Sequence, residues 1–175
     1  MSDSQSPKRP RFFDRQLLSA ADLQLEQEYH REKSKLHNRS LHGFGIVSGL
    51  KVTTDKGQIL IEPGLALDCA GNELLVSERQ SVLISAIKVD CHTTYLGVRY
   101  AEENFGPVVA GTNETAIIAE SFTIEFTKEN CNHGHRHQRA RWLACGEPHA
   151  LTIAKLKLGS QGWRVERGYR PPAIR

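Results

Sequence analysis

Apolar residues follow two different periods along this chain, and the change falls at Gly43. Leu18, Ala21, Leu25, Tyr29 and Leu36 recur three, four or seven apart, which is helical spacing. Beyond Gly45 the spacing is close to two. This predicts one long helix over 19–42, then short strands. The strand candidates are Ile46–Thr53, Gln58–Ile61, Leu65–Asp68, Glu73–Val76, Val82–Val89, Thr94–Ala101, Ala116–Phe126, Leu151–Leu158 and Trp163–Arg167. Turn chemistry separates them at Asp55-Lys56-Gly57, Pro63-Gly64, Gly71-Asn72 and Gly159-Ser160. Glu102 to Thr115 reads as an exposed loop. No helices alternate with the strands, which argues against a doubly wound α/β sheet. The expected fold is mainly β (α+β): an antiparallel β-sandwich or partly open barrel with one long N-terminal helix.

The helix has clear end signals. Ser19 and Asp22 stand at capping-box spacing, acids crowd the first half, and Arg31, Lys33, Lys35 and Arg39 crowd the second. Gly43 is the expected stop, with His42 bonding the end carbonyls. The apolar stripe is narrow. It suits a surface helix capping a β core, and it also suits contact with a partner through Leu18, Leu25, Tyr29 and Leu36.

The helix leads into HGFGIVSGL. Gly43, Gly45 and Gly49 alternate with apolar residues, but no lysine and helix follow as in a phosphate loop. A dinucleotide fingerprint is also excluded, because there the glycines follow a strand and open a helix. The stretch FFDRQLLSAADLQLEQEYHREKSKLHNRSLHGFGIVSGLKV, followed by IEPGLALDCAGNELLV, resembles small structural proteins of contractile phage tails and phage-tail-like contractile injection systems. The shared pattern is an aromatic-Asp-x-Gln-Leu-Leu start, a helix with an acidic-Tyr-His core, a Leu-His-Gly corner and Pro-Gly-x-Ala-Leu-Asp. It covers the first half well and the rest loosely. The resemblance implies a baseplate- or fibre-associated part whose partners are copies of itself, with a trimer suspected, and other tail or baseplate proteins.

At 175 residues the chain fits one domain over 11–168, with a polar arm over 1–10 and an extended tail over 169–175. The arm, MSDSQSPKRP, carries Lys8 and Arg9, which with Arg11 form a small basic cluster. A net charge of +3 does not mark a nucleic-acid binder, even with Arg136, Arg139 and Arg141 close to Trp142. No apolar run is long enough to cross a bilayer and no signal-peptide pattern opens the chain, so a cytoplasmic location, with assembly into a particle there, is expected.

Chemistry concentrates between Cys131 and His149, in CNHGHRHQRARWLACGEPH. Cys131, His133, Cys145 and His149 offer two sulfurs and two imidazoles, a donor set for structural zinc, with His135 and His137 as competing ligands. Alternatively, His133, His135 and His137 alternate on an extended strand, and three chains together would surround one iron-like ion. A solvated basic loop that binds no metal is the third reading. Cys69 and Cys91 read as small core or edge residues. His30 and His37 lie on the helix, with Glu26 four residues before His30.

Enzymatic signatures are sparse. There is no Gly-x-Ser-x-Gly elbow, His-Glu-x-x-His helix or Walker sequence. A metal-dependent hydrolase using Cys131, His133 and Cys145, with Glu147 as base, is the enzymatic alternative. Asp68 is better read as holding the turn that follows it. The sequence therefore favours a non-enzymatic structural protein.

Overall fold

The computed structural model describes residues 7–87, 92–108, 111, 115–132, 149–160 and 162–174. The order is one helix, α1 (Ala20–His37), then ten strands: β1 (Gly45–Gly49), β2 (Val52–Asp55), β3 (Gln58–Ile61), β4 (Gly64–Leu67), β5 (Glu73–Val76), β6 (Gln80–Leu83), β7 (Thr93–Val108), β8 (Thr115–Thr127), β9 (Leu151–Gly159) and β10 (Gly162–Val165). The strands form three antiparallel sheets, β1-β4-β5, β2-β3-β6 and β10-β9-β7-β8. The expected class holds: mostly β with one helix, including a half-barrel.

The helix starts as its sequence predicts. The Ser19 hydroxyl accepts from the Asp22 amide at 3.2 Å, and the Asp22 carboxylate accepts from the Ser19 amide at 2.9 Å. The Ser19 hydroxyl also donates to that carboxylate. These bonds hold the Asp22 carboxyl below its usual pKa. At the far end, Asn38–His42 widens into one π turn before Gly43, at φ 82°, stops it.

The expected strand Ile46–Thr53 is two strands. Gly49 (φ 66°) and Leu50 (φ 52°) both take left-handed backbone, and the chain leaves one sheet for another there. Burial of the Leu50 side chain, only 2% exposed, accompanies this conformation in a residue that seldom adopts it. Opposite, Pro63-Gly64 bends the partner strand, so β1-β2 and β3-β4 form one hairpin folded across a corner. The core lies inside this bend. Leu50, Ile59, Ile61, Leu74, Val98 and Leu156 meet there from all three sheets, with Trp163 at the margin.

A second departure is the stretch Glu102 to Thr115. β7 continues to Val108 and β8 begins at Thr115, so most of the expected loop is a two-stranded arm. Its register runs from Tyr95↔Thr127 through Phe105↔Ile117, with a bulge before Val108↔Thr115. The segment near the C-terminus folds back on its own chain. The Ile46 amide donates to Pro172 O at 2.8 Å and the Ile174 amide donates to Ile46 O at 2.9 Å, extending the free edge of β1.

Candidate functional site

Two places gather polar chemistry: a cleft at one end of the sheets and a groove along α1. The cleft is built on Asp68, which is buried at the end of β4. Its Oδ1 accepts from the amides of Ala70 and Asn72, both at 2.9 Å, and its Oδ2 accepts from Asn72 Nδ2 at 2.8 Å. Asp68 therefore holds its turn, as its sequence context indicates. That turn presents Cys69. His149 comes to it from the residue pair preceding β9, with Sγ 3.4 Å from Nε2 and 3.8 Å from Nδ1.

Cys131 follows the end of β8 by four residues. Its amide donates to Thr152 Oγ1 at 3.1 Å, while Asn132 clamps Thr152 by a reciprocal pair of bonds at 2.7 and 3.0 Å. The Cys131 thiol reaches Thr127 Oγ1 only at 3.8 Å. Of the sequence-predicted ligands, Cys131 and His149 are described. His133, His135, His137, Cys145 and the proposed base Glu147 lie outside the described residues, as do Cys91 and the Arg136–Trp142 cluster. The thiol that meets His149 is Cys69, which the spacing of residues 131–149 did not suggest. Among the described residues, no three or more metal-ligating side chains come together. The cleft, walled by Phe44, Asn132 and Leu151, has no volume open to a water-sized molecule.

The groove lies between α1 and the β7–β8 arm. One part, about 510 Å³, is lined by Glu26, Gln27, His30, Arg31, Glu102, Ile118 and Glu120. An adjoining part of about 310 Å³ shares His30, Arg31 and Glu120 and continues past Ser34, Lys35 and Asn38 to Glu73 and Tyr100. Arg31 bonds Glu102 across the groove, and Glu26 bonds His30 at 3.0 Å. The Tyr100 hydroxyl donates to Glu102 at 2.9 Å. Burial first, then that bond and the charges of Glu120 and Glu102, push the phenol well above its ordinary pKa. Of the other helix histidines, His37 packs its ring on His42 at 5.3 Å.

Helix α1 buries no residue. Leu18 and Leu25 of the predicted seam are exposed, and Tyr29 and Leu36 are half-buried. The helix is moored at its C-terminal end. Asn38 Nδ2 donates to Gly71 O at 3.0 Å and Glu73 Oε1 at 3.2 Å, and Arg39 donates to Ala70 O at 3.3 Å. The arm is just as open: Phe105 is 62% and Ile118 61% exposed.

The described residues thus define a β body that carries an external helix and a projecting hairpin. No family model matches the chain, and no curated protein does. Two solved structures share its fold over 96% of its length, both at a TM-score of 0.54. One is a chain of the TssK-TssF-TssG baseplate subcomplex of the type VI secretion system, at 14% identity. The other belongs to the baseplate complex of the type VI secretion system, at 12% identity. This chain spans 62% and 60% of their lengths. At such identities the likeness is one of fold. Among the described residues, no helix is long and apolar enough to cross a membrane.

Proposed function

We propose that this chain is a non-enzymatic structural component of a contractile injection system, built into a baseplate and binding neighbouring baseplate subunits and copies of itself. The observation that carries this reading is the fold shared with baseplate chains over 96% of the sequence. The exposed faces of α1 and the β7–β8 arm support it. A helix with no buried residue and a hairpin that exposes Phe105 and Val108 gain little from the chain's own core and much from a neighbour. The test is affinity capture of the tagged chain from the producing cell after mild cross-linking. Baseplate subunits are expected among the cross-linked partners. Contractile particles isolated intact without this chain would overturn the reading.

A structural zinc ion is the second part of the proposal, and the donor set Cys131, His133, Cys145 and His149 in the sequence supports it. The Cys69 thiol lies 3.4 and 3.8 Å from the two ring nitrogens of His149, beside the ring, which is a direct thiol–imidazole contact and not the placement of two ligands on one ion. Metal analysis of untagged protein is expected to give one zinc per chain, falling by at least about half in His149→Ala and unchanged in Cys69→Ser. No zinc in the parent protein, or undiminished zinc in His149→Ala, would refute this part.

A further inference from the structure

We infer that the groove between α1 and the β7–β8 arm receives the N-terminal segment Lys8–Arg15 of a second copy of this chain. The inference rests on the assembly reading for its biological setting.

The groove is acidic. Four carboxylates, Glu26, Glu73, Glu102 and Glu120, face it against two fixed cations, Arg31 and Lys35. Lys35 is already paired with Glu32 at 3.5 Å, and Arg31 with Glu102 and Glu28. No ion pair among the described residues engages Glu120.

The segment Lys8-Arg9-Pro10-Arg11-Phe12-Phe13-Asp14-Arg15 carries the complementary chemistry. Its cations Lys8, Arg9 and Arg11 are exposed, and no described residue pairs with them. Phe13 is 67% exposed. Pro7 and Pro10 favour an extended backbone, which lowers the entropy lost on docking. The six residues Lys8–Phe13, ahead of the turn at Asp14-Arg15 (Arg15 φ 68°), span about 19 Å as polyproline-like chain. Glu26 to Asn38 on α1 covers about 18 Å at 1.5 Å per residue. The apolar parts match as well. Leu23 lies one turn before Glu26 and Gln27 on the same helix face, and Ile118 lines the opposite wall. Both are more than half exposed and would receive Phe12 and Phe13. Among the described residues, none of Lys8–Arg15 lines the groove of its own chain, and the matching charge and length assign the segment of another copy to it.

The test uses the full-length chain in three charge-reversed forms: Lys8→Glu/Arg9→Glu/Arg11→Glu, Glu26→Lys/Glu120→Lys, and both sets combined. All five positions lie outside the core. Sedimentation velocity should show self-association that weakens with added salt, each single set weakening it at least about tenfold and the combination restoring it. Cross-linking a mixture of heavy- and light-isotope chains should link Lys8 to the groove between heavy and light copies. A monomeric parent protein, unchanged association in either single set, absence of rescue, or cross-links confined to one copy would each overturn the inference. Particle incorporation is read separately in the producing cell, so this inference and the baseplate reading fail independently.

Discussion

Replacing Gly49 with alanine is expected to cost about 2–5 kcal/mol of folding stability and to lower the melting temperature by roughly 10 °C. Two effects add. Gly49 sits at φ 66°, where a Cβ costs about 1–2 kcal/mol. That Cβ would also stand 2.0 Å from Pro63 O and 2.7 Å from Gly64 Cα. Both are backbone atoms in the partner strand, so relief requires opening the corner over the core. Gly57 supplies the control. It has φ 79° in the β2–β3 turn, and a methyl group added there would meet nothing within 4 Å. Gly57→Ala bears only the backbone strain. Chemical denaturation of the two variants separates the terms, and an equal loss in both would show that the Gly49 contact is not a constraint.

Gly71→Ala is expected to release α1 while leaving the sheets folded. Gly71 has φ 93°, and its added Cβ would lie 2.3 Å from Lys35 O and 2.9 Å from Lys35 Cα. The last turns of α1 rest on this glycine. Displacing them breaks the Asn38 bond to Gly71 O and the Arg39 bond to Ala70 O. Besides the Arg31–Glu102 bond and the half-buried Tyr29 and Leu36, α1 has no buried residue to hold it, and an isolated helix of this length is marginal in water. The docking loss is about 3 kcal/mol from strain and overpacking together. Hydrogen exchange should show α1 amides losing most of their protection while β7 and β9 keep theirs. Retained protection in α1 would contradict this account of the mooring. Release of α1 also dismantles one wall of the acidic groove, so self-association should fall in the same variant.

Local chemistry was legible wherever one short stretch completes its own structure. The Ser19–Asp22 box, the stop at Gly43, the Asp55-Lys56-Gly57 turn and the Asp68 turn each bond within about five residues. The β7–β8 arm was not legible. Glu102–Val108 is polar and contains Gly106-Pro107, features that usually mark a loop. It is strand because β8 continues the ladder beside it, with the glycine and proline falling at the bulge where regular pairing lapses. Because the arm is largely exposed, no alternation of apolar residues announces it.

The candidate site divides in the same way. Sequence spacing singled out His149 and Cys131 but offered no reason to join His149 to Cys69, eighty residues earlier. Only the packing of the β4–β5 turn against the start of β9 brings them together. The thin stripe on α1 was readable as a partner surface, yet the acidic groove beside it needs Glu102 and Glu120 from the hairpin. The sequence by itself determined the helix, its caps, most strands and the narrowness of the apolar stripe, because those depend on periodicity and bonds between near neighbours. Tertiary structure alone decided the folded corner at Gly49–Leu50, the length of the arm, the thiol facing His149 and the groove along α1. Each of these arises where segments distant in sequence meet, and there the energy belongs to the contact between them.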